Sequence, residues 1–522
     1  MGRISFSTKS LIFALLAACI GFAIAAPAQS PVAGDFVKGE LLVKFATDTP
    51  EKSVRFANRA IGATVLESLG DLDWQRVRLP DGLSVDDAIE KYKNLENVEY
   101  AQPNFYYHLL TTPNDPQFVN GGMYGLTQIS APLAWDLTTG SSSVVVADID
   151  TGLRYTHEDI AANAWVNPGE IPGNGIDDDN DGFVDDIYGA DFRYNRSDPA
   201  DENGHGTHTA GTIGAVGNNL LGVSGVNWNV KIMAIKIYSA SGNDTTSAML
   251  INAYNYVRLM KNRGINIRVT NNSYGGCAEA CGFDQATKNA IDALGDVGIL
   301  QVFAAGNSRS NNDVNPFYPA SYTSPSILAV AASDSNDARA SFSSIGLNSV
   351  DLAAPGVGII STYNGSNSSY ASLSGTSMAT PHVAGAAALL SAYNPSLSAA
   401  SLKATLMNTV DLLPDWNGLV KSGGRLNVNR ALRNQTVCSF TPSVDTMTVR
   451  TRGGTFTVNI TAGQNCDYSV KSNANKWLKV VSSDSMSGNG TVTFHVTVNP
   501  TITRTGTISI GGQTFTVRQS RN

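Results

Sequence analysis

From Ala384 to Ala392 every residue is small or apolar, and no polar face appears at helical spacing. A helix of that kind has to be buried on every side, so the chain must pack other elements around it. Just before it stands Gly375-Thr376-Ser377-Met378-Ala379-Thr380-Pro381-His382-Val383. Helix starts favour Ser and tolerate Pro in the first turn, which puts Ser377 near the helix's positive end. That end favours negative charge of the kind that develops during acyl transfer. A rigid central element also holds a nucleophile in place.

A serine hydroxyl is a weak nucleophile without a base, and the base needs a group to orient it. Of six histidines, His205 has a comparable setting: Asn203-Gly204-His205-Gly206-Thr207-His208-Thr209-Ala210 leads into a second small-residue helix. The acid is suggested by Val144-Val145-Val146-Ala147-Asp148-Ile149-Asp150-Thr151-Gly152, an apolar run of buried-strand type. Asp150 then falls at a strand's carboxyl end, where open α/β sheets build their sites. Asp148 lies two residues earlier on the same strand face. A second carboxylate there could raise its neighbour's pKa or bind a cation. Another apolar strand, Val302-Phe303-Ala304-Ala305, runs into Gly306-Asn307. Read alone, Asn307 is equally a turn residue. His208 reads as a packed helix histidine and His382 as a structural hydrogen-bonding group.

The order Asp150, His205, Ser377 with these flanks resembles the subtilisin family of serine proteases, over residues 112–434. That chain order is recognised from the family itself. The resemblance implies a three-layer α/β domain with a mostly parallel sheet. It also implies an Asp150-His205-Ser377 triad that hydrolyses protein or peptide substrates through an acyl-enzyme. Asn307 would donate to the oxyanion through its side-chain amide. Val269-Thr270-Asn271-Asn272-Ser273-Tyr274-Gly275-Gly276 resembles the family segment that pairs with bound peptide as an added strand. Ser273, Tyr274 and Gly275 would then edge the main pocket, with Ala304, Ala305 and Gly306 opposite and Phe317 near its base. None of these carries charge, so an apolar or broad preference is expected, without a demand for Arg or Lys.

Asn174 to Asp186 is strongly acidic, and Asp177, Asp179 and Asp181 with Gly182 match the start of a calcium loop. The twelfth position is Tyr188 in place of the usual Glu, so this is no full EF-hand. Bound calcium would offset the repulsion among so many carboxylates; the other reading is a solvated acidic loop. The family resemblance implies a second structural calcium site at Asp159 and Asn219, joined by Asp115, with Asn218 as the competing position for Asn219.

The chain's ends carry their own signals. Arg3 and Lys9, the apolar run Leu11 to Ala18 and small residues up to Ala28 form a secretory leader over residues 1–28. Leu16-Ala17-Ala18-Cys19 also resembles a lipoprotein signal, which would tether the enzyme through Cys19. Residues 31–110 alternate strand patterns with a helix capped by Ser84, and resemble the small α+β inhibitory propeptide of secreted subtilases. The mature chain would start between about Tyr107 and Pro113. Export suits disulfides, and proximity pairs Cys277 with Cys281 and Cys438 with Cys466 among three connectivities. Gly424 to Leu432 resembles the family's closing helix. Beyond it, residues 438–520 are rich in Ser, Thr and Val and alternate in strand fashion, with Gly511-Gly512 as a hairpin turn. An immunoglobulin-like sandwich is expected there. It resembles domains proposed to bind glycans, with Trp477 read as core before sugar platform.

A net charge of −8 argues against a nucleic-acid partner, and 15% charged residues with 49 glycines suit a loop-rich exported hydrolase. A monomer is expected. Two other classes compete: a catalytically dead surface adhesin, and a lipase. No Gly-x-Ser-x-Gly elbow surrounds Ser377, and the acid precedes the histidine, against the lipase.

Overall fold

The computed structural model describes residues 36–106, 112–276, 282–499 and 502–520. The leader, Cys19, the Cys277–Cys281 pair and most of the expected maturation junction lie outside the described residues. Two compact units divide the chain, residues 1–108 and 109–522.

In the first unit, β1 (Phe36–Phe45), α1 (Glu51–Ile61), β2 (Thr64–Ser68), β3 (Trp74–Arg78), α2 (Val85–Lys93) and β4 (Val98–Phe105) form a sheet of order β2-β3-β1-β4 with two helices. Leu41, Val43 and Val77 from the strands pack with Ala57, Ala88 and Tyr92 from the helices. Ser84 caps α2, its hydroxyl accepting from the Asp87 N–H at 3.1 Å.

The second unit starts with short helices α3 (Pro116–Val119), α4 (Tyr124–Gln128) and α5 (Ala131–Trp135). Its frame is β5 (Gly140–Asp150), β6 (Gly189–Asp191), α6 (His205–Gly214), β7 (Asn229–Lys236), α7 (Ser247–Asn262), β8 (Ile267–Asn272), α8 (Gln285–Asp296) and β9 (Leu300–Ala304). Then come β10 (Ile327–Ser333), β11 (Leu352–Pro355), the hairpin β12 (Ile359–Tyr363) and β13 (Ser369–Leu373), α9 (Thr376–Tyr393), α10 (Ala399–Asn408), β14 (Asp411–Leu412), β15 (Gly424–Arg425) and α11 (Val428–Arg433). One nine-stranded sheet has the order β14-β15-β11-β10-β9-β8-β5-β7-β6. Its neighbouring strands run parallel except β14 beside β15.

Alternation along β5 divides the core. Val144 and Val146 join the α6 and α9 side, while Val145, Ala147 and Ile149 join the α7 and α8 side. Asp148 and Asp150 keep to the first of these faces. Helix α9 starts at Thr376, earlier than the apolar run suggests, so Ser377 lies inside its first turn and Pro381 beyond it. Gly424 and Arg425 pair with β14 as a strand, and the closing helix begins only at Val428.

The C-terminal region is all-β: β16 (Phe440–Pro442), β17 (Thr446–Val449), β18 (Gly454–Ala462), β19 (Asp467–Ser472), β20 (Leu478–Val480), β21 (Ser485–Ser487), β22 (Gly490–Val496), β23 (Arg504–Ile510) and β24 (Gln513–Gln519). Two sheets, β16-β18-β22-β20 and β17-β24-β23-β19-β21, close over Val458, Tyr468, Leu478, Phe494 and Phe515. A disulfide joins Cys438 to Cys466. Trp477 lies half-buried at the edge of this core, and the Arg504 guanidinium covers one face of its ring at 4.3 Å.

Candidate active site

Each element ends where its functional side chain is needed. Strand β5 stops at Asp150, and Gly152 turns the chain away at φ +110°, where a Cβ would stand 2.3 Å from the Pro199 carbonyl oxygen. Gly204, at φ +106°, lets α6 begin directly on His205; a Cβ there would strike the Tyr363 ring at 2.4 Å. Asp201 secures that turn. Its Oδ1 accepts from the N–H groups of Asn203 and Gly204, and its Oδ2 from the N–H and hydroxyl of Thr207.

His205 Nδ1 lies 2.7 and 2.9 Å from the two Asp150 oxygens, and Asp150 is buried. Burial disfavours the imidazolium, but the Asp150 charge and hydrogen bond outweigh it and raise the His205 pKa above its ordinary value. The other two histidines of interest are structural. His208 Nε2 faces the Ile359 carbonyl at 3.0 Å and His382 Nδ1 the Met378 carbonyl at 2.9 Å. Burial pushes both down to about 4.

Ser377 is pinned to the end of β8 twice. Its hydroxyl donates to the Ser273 carbonyl at 3.0 Å. Pro381 has no N–H to offer the Ser377 carbonyl one turn back, and the Ser273 hydroxyl donates to that oxygen instead, also at 3.0 Å. Asn307 follows β9. Its Oδ1 accepts from both the N–H and the hydroxyl of Thr376, at 2.8 and 2.9 Å. With the oxygen engaged, the amide N–H₂ is the end left to serve the cleft.

Asp150, His205, Asn307 and Ser377 line one cleft of about 1050 Å³. Ser273, Tyr274, Gly275, Ala304 and Gly306 line it too. Ala305 does not: its side chain is buried on the other side with Val350, Ala353 and Trp416, so only its backbone can serve the edge. Phe317 closes the base. A Cβ on Gly275, Gly276 or Gly306 would meet its ring at 2.6, 2.1 and 3.1 Å. The lining carries one further acid, Asp284, whose carboxylate is taken up capping α8.

The acidic loop forms two groups, Glu170 with Asp177 and Asp179, and Asp179 with Asp181 and Asp186, each with oxygens within 4.8 Å of one another. Glu170 gathers the loop by accepting from the N–H groups of Asp178, Asp179 and Asp185. Asp181 Oδ2 is buried, accepts no hydrogen bond and has Arg263 Nη1 3.8 Å away. Burial, then neighbouring carboxylates, push Asp181 up to about 6 and Asp186 up to about 8. An orphaned buried oxygen among carboxylates fits a hard cation. Asp115 and Asp159 are both fully buried. The Asn219 amide reaches Asp159 Oδ1 at 2.7 Å, while Asn218 offers its N–H to Asp115.

Asp201, Thr376 and Glu170 escape motif reading, and Asp186 shows only as the last member of the acidic stretch. The Asx-type spacing of Asp201 to Asn203 was the one local signal available; the others act across long loops.

Residues 141–437 match the model of the Subtilase family, residues 22–104 that of the Fervidolysin N-terminal prodomain, and residues 438–521 that of the Viral BACON domain. The chain is 36% identical over 358 residues to a thermophilic serine proteinase of Bacillus sp. strain AK1, covering 68% of this chain and 79% of that protein. It is 38% identical over 322 residues to thermitase of Thermoactinomyces vulgaris, covering 62% and 99%. A solved structure of proteases from Pseudoalteromonas arctica superposes with a TM-score of 0.50 at 28% identity, over 62% of this chain and 99% of that one. Fold and matches together define a serine endopeptidase of subtilisin type, made as a zymogen with an N-terminal prodomain. The chain belongs to the subtilase family and ends in a BACON-like domain.

Proposed function

We propose that the protein is a secreted endopeptidase that cuts peptide bonds through an Asp150-His205-Ser377 triad. Neutral His205 takes the Ser377 proton as that oxygen attacks the carbonyl, while Asp150 holds the imidazole tautomer and stabilises the imidazolium. Asn307 and the Ser377 N–H receive the oxyanion, and water releases the acyl-enzyme. The observation that carries this reading is the 2.7 Å contact of His205 Nδ1 with Asp150 in the cleft that Ser377 and Asn307 also line. These groups leave the inactive adhesin without support. Peptide would pair with the Ser273–Gly275 edge and offer an apolar side chain to a pocket ending on Phe317.

The proposed organisation is a leader at 1–28, the inhibitory propeptide at 31–110, the peptidase at 112–434 and the β-sandwich at 438–520, in a monomer. No helix among the described residues is long and apolar enough to cross a membrane. Freely secreted and Cys19-tethered forms remain alternatives that lipid labelling would separate. Structural calcium would be held by Glu170, Asp177, Asp179, Asp181 and Asp186, and a second ion by Asp115, Asp159 and Asn219; its chemistry is charge neutralisation. Glycan binding by the last domain is an analogy that the Trp477 ring, half-buried and covered on one face, weakens. Casein hydrolysis by purified protein should vanish in Ser377→Ala and under a serine-directed phosphonate. A wild type that cleaves no denatured protein would sink the proposal.

A further inference from the structure

Asp148 is buried beside the reacting groups, and the hydrolytic cycle has no use for it. Its Oδ1 accepts from Asn271 Nδ2 at 2.8 Å, and its Oδ2 lies 3.0 Å from Thr209 Oγ1. The Thr209 hydroxyl is also 3.0 Å from the Gly206 carbonyl oxygen. A threonine hydroxyl has one hydrogen, so it cannot fully serve both oxygens. A proton on Asp148 Oδ2 removes the shortage: Asp148 donates to Thr209, and Thr209 donates to Gly206. On the other side, Asn271 Nδ2 is 3.1 Å from the Ser273 hydroxyl, which donates to the Ser377 carbonyl that Pro381 leaves open.

We propose that Asp148 stands as a neutral carboxylic acid and is a positioning residue. Through one hydrogen-bonded relay it joins the helix of His205, the strand of Asp150 and the main chain of Ser377. The inference rests on those three residues being the triad.

The surroundings favour the neutral form. Asp150 shares the strand face, and His205 on α6 is the cation-forming neighbour. Strand β8 brings uncharged Asn271, and β7 sets Ala234 opposite Asp148. Helix α9 carries His382, turned to its own helix's Met378 carbonyl. A second anion beside Asp150 in a dry site is costly. Burial first, then the Asp150 charge, raises the Asp148 pKa well above the ordinary carboxylate range.

An amide mimics a neutral acid in setting an acceptor oxygen beside a donor group, though its NH₂ carries two hydrogens, and it cannot mimic a carboxylate. Steady-state kinetics on a soluble peptide from pH 5 to 10 would compare wild type, Asp148→Asn and Asp148→Val. We expect Asp148→Asn to keep kcat within about threefold, with the acidic limb of kcat/KM unmoved. We expect Asp148→Val to lose kcat about tenfold or more at nearly unchanged KM, because the relay is cut. If Asp148→Asn instead moves the limb about half a unit or more to lower pH, an anion had been supporting the imidazolium, and the inference is wrong. Equal kcat in Asp148→Val and wild type would also overturn it. Should the valine variant not fold, the asparagine profile decides, together with an infrared protonated-carboxyl band that Asp148→Asn must remove. A wild type without phosphonate-sensitive hydrolysis refutes the triad; an active wild type with a shifted Asp148→Asn limb refutes only this inference.

Discussion

At His205, two opposing effects of one burial meet. Desolvation alone would keep the ring neutral, but Asp150 in contact with Nδ1 wins and lifts the pKa. As the proposed general base, His205 must be neutral, so kcat/KM should fall as pH drops through a value above the ordinary histidine pKa of about 6.5. A pH–rate profile checks this; a limb at or below that value would contradict the geometry. Phe317 permits a second residue-level prediction. Its ring blocks the space beneath Gly275, Gly276 and Gly306, so small apolar side chains should precede the cut. Phe317→Ala should swing kcat/KM toward large aromatic side chains about tenfold or more, read on paired peptides. The sequence exposed Phe317's neighbourhood but not its reach, because an aromatic ring's direction is set by the loop that carries it.

Among the elements, α9 shows how a defect becomes a support. Pro381 interrupts the helix ladder, and Ser273, just past β8, fills the gap. Ser273→Ala should cost about 1 kcal/mol by removing the donor from a partly buried carbonyl. Much less should be lost in a Pro381→Ala background, where a backbone N–H returns. Denaturation of phosphonate-inhibited protein would measure both. The acidic loop makes a different prediction. Asp181 and Asp186 bind protons more tightly folded than unfolded when no cation is present. Stability in chelator should therefore fall as pH rises from the ordinary carboxylate range toward about 8. Added calcium should raise the melting temperature and flatten that slope, and Asp181→Asn should blunt the calcium response. Asp177, Asp179 and Asp181 stood out from their alternate spacing. Glu170 and Asp186 did not, since one reaches the loop from a distance and the other falls off the alternate spacing within it.

For the molecule as a whole, the last domain is fastened to the peptidase by buried charge. Lys403 on α10 lies 2.8 Å from Asp467 of β19 and 3.5 Å from Asp351, with all three side chains under 10% exposed. Burial works against the Asp467 carboxylate, yet Lys403 and Lys421 outweigh it and hold its pKa below the ordinary range. A depressed carboxylate stabilises above its unfolded pKa, and that contribution is lost as pH falls through the folded value. Acid below the ordinary carboxylate range, under about pH 4, should thus loosen the β-sandwich, seen as faster limited proteolysis near Cys438. Lys403→Met, which takes the cation from buried Asp351 and leaves Asp467 only Lys421 at 3.9 Å, should cost about 3 kcal/mol at neutral pH.

What the sequence by itself determined were the local features whose spacing is their meaning. An apolar strand ending in Asp-Thr-Gly, a histidine between glycines, and a serine ahead of an all-apolar helix singled out Asp150, His205 and Ser377, and their resemblance to the subtilisin family implied the fold class. Strand alternation likewise announced the β-sandwich. Only the tertiary structure decided relations between distant segments: the hydroxyl of Ser273 on the carbonyl of Ser377, the grip of Thr376 on Asn307, Ala305 turned away from the cleft, and Lys403 sealed under another domain. Hydrogen bonds and ion pairs act over a few ångströms, and such contacts between residues tens to hundreds of positions apart leave no periodic trace in the chain. Asp148 belongs to both groups. Its place on the strand was legible, while its proton depends on Thr209 and Asn271, which only folding brings to it.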